Sequence, residues 1–222
     1  MATLSLVRHG QATFGASNND QLSDLGQRQS LQLGRYFASK DMRFDAVLLG
    51  TSRRDTETLH AISQGMGAHL TGTRYASLND YNSRAVIQAV HTEPLAHAES
   101  PQQLLQQTRL LRQGLTQWML GQTQPTGMPS WATLQQQVRD LLTHVQHHTA
   151  QHVLLLSSSG PIASVLGHVL STPPDATVEL IMRLRHTAVS EVVFTPERLA
   201  LQTYNSVAHL EGRAFNGWIS YV

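Results

Sequence analysis

The chain has 222 residues, 41% of them apolar and 14% charged, with 16 basic against 15 acidic side chains and no cysteine. It is long enough for one sizeable core or a core with an inserted lobe, too short for two full domains, and of ordinary soluble globular composition. Lack of cysteine excludes disulfides, thiolate metal sites and a cysteine nucleophile, and the charge balance gives no broad footprint for nucleic acid. No apolar run nears the ~20 residues that cross a bilayer, so cytoplasmic residence fits best and no membrane partner is expected.

Residues 3–15 read TLSLVRHGQATFG. Leu4 to Val7 has the length and alternation of a strand, and it ends on Arg8, His9 and Gly10. In an open α/β sheet ligands sit beyond the carboxyl ends of the strands, which puts His9 where chemistry is usually done. Taken alone, the triplet also fits a structural histidine closing a strand. Residues 16–21 are polar, with turn formers Asn18, Asn19 and Asp20, and read as a loop. Ser23 is placed to cap a helix through about Lys40, along which Leu25, Leu31, Leu33, Tyr36 and Phe37 recur at helical spacing. Residues 45–49 form a second buried strand. The following segment, with Arg53 and Arg54, opens a helix that carries Thr58, Leu59 and Ile62 and stops near Gly65 and Gly67.

A short edge strand is expected within 69–75. From about 81 to 152 the character changes: two glutamine-rich stretches, 102–120 and 130–148, place Leu, Val and Trp at helical spacing, and a Gly- and Pro-containing segment separates them. Ser130 suits the second as a cap. This region reads as a helical cap inserted into a single domain of 1–222, outside the strand and helix rhythm. The rhythm resumes with an apolar strand at 153–156, which runs into Ser157, Ser158, Ser159 and Gly160 and a helix over 162–170, with Pro161 in its first turn. A helix at 175–184 and strands at 188–194 and 199–204, joined by a hairpin turn at 195–198, complete the chain.

Three strand ends thus offer groups suited to an anion: Arg8 with His9, then Arg54, then the serines at a helix N-terminus. Arginine presents a fork of donors that matches a phosphoryl group, and helix N-termini present unpaired N–H groups. A neutral imidazole among them can attack phosphorus and carry the phosphoryl group covalently. No metal or cofactor is required.

LVRHGQATFG, then RRDTET with Arg54 four residues before Thr58, then Leu78-Asn79-Asp80, then a strand followed by SSSG and a helix, together resemble the histidine phosphatase superfamily, in the branch that includes cofactor-dependent phosphoglycerate mutases. The resemblance spans 3 to about 194. It implies a three-layer α/β/α sandwich with a mostly parallel sheet, His9 as nucleophile, and Arg8 and Arg54 as the phosphoryl clamp. Asp80 takes the place of the general acid, usually a glutamate in that family; its alternative is a loop residue in an Asx-turn. Gln11, Thr13, Phe14, Gly15, Ser158, Ser159 and His186 are the implied phosphate and substrate contacts.

Ser158 stands where the family usually has a second histidine. A hydroxyl still donates a hydrogen bond, but the possible positive charge is gone, and loss of one preorganised donor costs ~100 to 1,000-fold in rate. His186, ahead of the strand at 188, is expected to replace it in part; the alternative is a histidine capping a helix C-terminus.

The expected activity is hydrolysis of a small phosphomonoester, with a phosphorylated metabolite or inorganic phosphate as ligand. A weakened or noncatalytic phospho-ligand-binding protein is the alternative. A mutase is less favoured because Ala12 and Gly15 replace polar residues. His144 and His148 have metal-ligand spacing without a completing carboxylate and carry no metal expectation. Trp118 and Trp131 read as packing residues, and Trp218 as sealing an edge or a homodimer contact.

Overall fold

Alternation decides which side chains each strand sends to which face of the sheet. In a computed structural model, which describes residues 2–13, 20–91, 93, 100–147 and 149–221, β1 (Ala2–Arg8) sends Leu4 and Leu6 to one face and Val7 to the other. β2 (Ala46–Leu49) and β4 (His152–Ser157) do the same: Leu48, Val153 and Leu155 lie on the first face, Val47, Leu49, Leu154 and Leu156 on the second. With β3 (Thr73–Arg74), β5 (Val189–Phe194) and β6 (Leu199–Ser206) they form a six-stranded sheet in the order β3-β2-β4-β1-β5-β6. β1 lies parallel to β4, β4 to β2 and β2 to β3, while β5 runs antiparallel to both β1 and β6. β5 alone therefore reverses direction, and the carboxyl ends of β1, β2 and β4 share one edge.

Helices cover both faces. α1 (Asp24–Ser39) and α2 (Arg53–Met66) bring Leu33, Phe37, Leu59 and Ile62 onto the Val7 face. α5 (Trp131–Gln146) and α6 (Ser159–Leu170) bring Val138, Leu142, Val145, Ile162 and Val165 onto the Leu4 face. The result is an α/β fold of three layers. Burying each such aliphatic side chain is worth ~1.5–3 kcal/mol, so the two faces supply most of the driving force.

The region expected as a cap outside the strand and helix rhythm divides in two. α5 belongs to the layer on the sheet, because its apolar stripe faces the same cluster as β1 and β4. α3 (Ser83–Gln88) and α4 (Pro101–Met119) instead pack through Val86, Leu115, Trp118 and Met119 against Val178 and Ile181 of α7 (Pro174–Arg183).

Serine begins five of these helices. Ser23, Ser52, Ser100 and Ser130 each accept a backbone N–H of the helix they open, an interaction worth ~1 kcal/mol. Ser158, at the start of α6, makes no such bond. No described helix is long and apolar enough to cross a membrane.

Candidate active site

β1 ends in a tight passage. A Cβ on Gly10 would lie 2.5 Å from the Gly26 carbonyl oxygen, and one on Gly26 would lie 2.1 Å from that of Gln11. The turn after His9 therefore rests directly on α1, which only glycine permits at both positions. The Gly10 N–H donates to Thr58 Oγ1 at 3.1 Å, so α2 holds the same turn from the other side. His9 emerges from this clamp 2% exposed. Its Nδ1 lies 2.7 Å from the Gly10 carbonyl oxygen. A carbonyl only accepts, so Nδ1 carries the proton and Nε2 keeps its lone pair. Burial, then the charges of Arg54 and Arg8, hold the imidazole well below its usual range, and it is neutral at physiological pH.

Two guanidinium groups and one carboxylate surround it. Arg8 is buried and donates through Nη1 to the Leu184 carbonyl, while its Nε has no protein partner. Burial lowers its pKa to about 10, which leaves it charged. Arg54, in the first turn of α2, places Nη2 3.3 Å from Asp80 Oδ2 and Nε 4.0 Å from Asp20 Oδ1. Arg53, its neighbour, points outward to Glu57. Asp80 also accepts the Tyr81 N–H through Oδ1 at 3.1 Å. Burial pushes its carboxyl above the ordinary value, against Arg54, Arg8, the Tyr81 N–H and the Ser158 hydroxyl. The Ser158 side chain, free of capping duty, faces Asp80 and favours its charged form. A Cβ on Gly160 would lie 2.6 Å from Tyr81 Cδ1, so glycine there lets the loop after Asp80 close on the start of α6.

His186 joins the same cluster, its ring centroid 5.9 Å from that of His9. Its position comes from two unrelated segments. Thr187 holds a positive φ of 55°, uncommon for a β-branched residue, and is fixed by its N–H to the Arg8 carbonyl (3.1 Å) and by its hydroxyl to the His186 carbonyl (2.7 Å). The segment around Ser220 supplies the rest: the His186 N–H donates to the Ser220 carbonyl at 2.9 Å, and Nδ1 lies 3.0 Å from Ser220 Oγ.

Gln29 ties this contact back to the turn after His9. Its Oε1 accepts the Gln11 N–H at 3.0 Å, and its Nε2 donates to the Trp218 carbonyl and to Ser220 Oγ at 3.0 Å. Ser220 Oγ accepts from Gln29 and keeps a second lone pair, so its contact with His186 Nδ1 is compatible with the proton on either atom. Burial, then Arg8, lowers the His186 pKa to about 2.

The structure thus brings His9, Arg8, Arg54, Asp80, Ser158 and His186 together. Ser159 is buried in the first turn of α6. Gln11 and Thr13 close onto the start of α1 instead: Gln11 Oε1 accepts the Ser23 hydroxyl at 2.8 Å, and the Thr13 N–H donates to the Gln21 carbonyl at 3.0 Å. Phe14 and Gly15 lie outside the described residues, as does His148 of the histidine pair. Among the described residues no group of three or more His, Asp or Glu is arranged to hold a metal. Sequence reading missed Asp20, Gln29 and Ser220. Asp20 carried only a turn signal, and the other two carried none, because a polar residue that bridges distant segments leaves no local pattern.

Beside Asp80 a cavity of about 320 Å³ opens between the Asp80 loop, α6 and the α4–α5 connection, with Trp118, Met128 and Trp131 in its wall. Trp118 is buried, donates Nε1–H to the Pro129 carbonyl at 3.2 Å and meets Trp131 edge to face at 5.2 Å. Both indoles pack, as expected, and both also face the cavity.

Comparison with known proteins follows the same lines. The sequence matches the family described as the histidine phosphatase superfamily (branch 1) over residues 4–207. A search of curated proteins finds no match. Among solved structures, the chain is similar to a putative alpha-ribazole-5'-P phosphatase from Escherichia coli (TM-score 0.66, 17% identity, 93% of this chain and 97% of that one). It is also similar to a phosphoserine phosphatase mutant from Entamoeba histolytica (0.63, 16%, 95% and 100%). A phosphoglycerate mutase from Bacillus anthracis is a third (0.64, 15%, 94% and 94%). At these identities the likeness is one of fold, here phosphoglycerate mutase-like.

Proposed function

The chain belongs to the histidine phosphatase superfamily, and from that premise we propose that it is a metal-independent phosphatase that hydrolyses a small phosphomonoester through a phosphohistidine at His9. The observation that carries this reading is the state of His9: buried, neutral, protonated on Nδ1 by its bond to Gly10, and flanked by two arginines. Nε2 attacks phosphorus, the P–O bond to the alcohol breaks, and Asp80 gives its proton to the leaving oxygen. Water then attacks the phosphohistidine, Asp80 takes a proton from it, and the N–P bond breaks to release phosphate.

Arg8, Arg54 and the first N–H groups of α6 neutralise charge on the phosphoryl oxygens in flight, where such preorganised donors act most strongly. His186, neutral and beside His9, takes over part of the role that a second histidine would have had at Ser158 by donating from Nε2–H.

A second reading, a phospho-ligand-binding protein that turns over poorly, is favoured by Ser158 and by the closed Arg54–Asp80 pair. Hydrolysis of p-nitrophenyl phosphate by the wild type and by His9→Ala separates the two. The phosphatase reading expects turnover that vanishes with His9 and acid-labile phosphate trapped on the wild type alone. Equal background rates in both proteins would overturn it. Product analysis with 3-phosphoglycerate distinguishes hydrolysis from mutase chemistry.

A further inference from the structure

Resting on that reading, we propose that the substrate is the phosphomonoester of a small uncharged alcohol with an apolar or aromatic body, and that the cavity beside Asp80 holds that body. Its volume, about 320 Å³, is at the lower end of the ~300–1,000 Å³ of small-molecule sites. Asp80 stands on its wall, so a group seated there is attached to the oxygen that Asp80 protonates.

The wall decides the chemistry of the occupant. Among the described residues that line the cavity, Asp80 is the only charged one. The cations of the site, Arg8 and Arg54, do not line it: Arg8 is anchored on the Leu184 carbonyl, and Arg54 is paired with Asp80. A carboxylate on the leaving group would enter without a counter-ion and beside a carboxyl, an arrangement that costs far more than a lost neutral contact. Trp131, Met128, Leu134 and Ile181 instead offer an apolar surface, interrupted by neutral polar groups of Ser77, Asn79, Asn82, Gln137 and Ser164. The surface is preorganised, because Trp118 is held by Pro129 and in turn holds Trp131. A rigid wall of this kind favours a flat ring or a compact aliphatic group.

Benzyl phosphate, 3-phosphoglycerate and O-phosphoserine test this as alkyl monoesters with different leaving groups. The wild type is expected to show about tenfold or greater kcat/KM for benzyl phosphate over either carboxylated ester. Gln137→Arg, a change at an exposed position, is expected to narrow that ratio by lowering KM for the carboxylated esters. Leu134→Arg provides the same addition deeper in the wall. Titration of His9→Ala with each ester by calorimetry reads selectivity without turnover. Tighter binding of benzyl phosphate there supports the pocket assignment even if no ester is hydrolysed, an outcome that would count against the phosphatase reading alone. Equal or stronger preference for a carboxylated ester, in turnover or in binding, overturns the inference.

Discussion

Ser158 shows how one hydroxyl can be diverted from structure to chemistry. The other serine caps satisfy their helices, whereas Ser158 leaves the first turn of α6 without a side-chain acceptor and instead favours the charged form of Asp80. A hydrogen bond to a carboxylate favours the charged form, so Ser158 opposes the burial that raises the Asp80 pKa. In the proposed mechanism Asp80 must be protonated to assist departure of the alcohol, and activity falls as pH rises through its pKa. Ser158→Ala removes the opposing bond, so the alkaline limb of kcat/KM for an alkyl phosphate is expected to move to higher pH. At its plateau kcat is expected to drop about 10 to 100-fold as the group that orients the acid is lost. A pH–rate profile of the two proteins measures both effects; an unmoved limb would separate Ser158 from Asp80. At Gly160, Ala is expected to weaken activity through displacement of the Tyr81 ring, which lies within 2.6 Å of the added Cβ. Comparing the kcat of Gly160→Ala with that of the wild type on p-nitrophenyl phosphate checks it.

At the scale of elements, the irregular segment around Trp218 and Ser220 acts as a strap beside the site. Gln29 of α1 fixes it from one side, and Arg28 lies over the Trp218 ring at 5.1 Å. Ser220 Oγ meets His186 Nδ1, and the proposed donor role of His186 requires the hydroxyl to give its proton to that atom. Long-range ¹H–¹⁵N correlation of the imidazoles is expected to show His186 as the Nε2–H tautomer in the wild type and as a mixture in Ser220→Ala, with Ser220→Thr restoring the wild-type pattern. An Nδ1–H tautomer in the wild type would contradict the hydroxyl orientation.

The same contrast explains what the sequence could reveal. β1, β2, β4 and the helices α1 and α2 were legible because burial imposes a period on their apolar residues, and Arg8, His9 and Arg54 were legible because they sit at the ends of those elements. α5 was misplaced as part of a separate cap because periodicity tells which stripe is buried but not against what. α6 begins at Ser159 rather than 162 because Gly160 and Pro161 fit a first turn as well as a loop. The expected edge strand shrinks to Thr73–Arg74 because those two residues pair in register with β2 and the chain leaves the sheet after Tyr75 donates to the Leu49 carbonyl. Gln29 meets Ser220 across 191 positions, a contact that no local pattern records.

For the molecule as a whole, the groups buried to build the site set how stability depends on pH. His9, His186 and His209 are held neutral by burial, His186 down to about 2 and His209 to about 4. Unfolded, each titrates near 6.5, so below that pH the unfolded chain binds protons that the folded chain refuses. Their contribution is complete above about 6.5 and is lost as pH falls. Asp55 works in the opposite direction. It lies 1% exposed on α2, its carboxylate oxygens have no hydrogen-bond partner, and burial raises its pKa to about 7 against the nearby Ser52 hydroxyl and Arg54. Its contribution is complete below about 4 and is lost as pH rises through 7. Between about 4.5 and 6 the three histidines outnumber Asp55 and Asp80, whose carboxyl burial also raises, so the wild type is expected to lose stability on acidification, at roughly 1.4 kcal/mol per pH unit for each net proton. Asp55→Asn removes the buried charge without changing its shape. The variant is expected to be more stable than the wild type at pH 8, by up to roughly 4 kcal/mol, with the advantage shrinking as pH falls toward 4 and the acid loss becoming steeper. Urea melts of both proteins at pH 5, 6.5 and 8 measure the difference directly. An advantage that is the same at all three values would mean that Asp55 does not change its protonation on folding and has no part in the pH dependence.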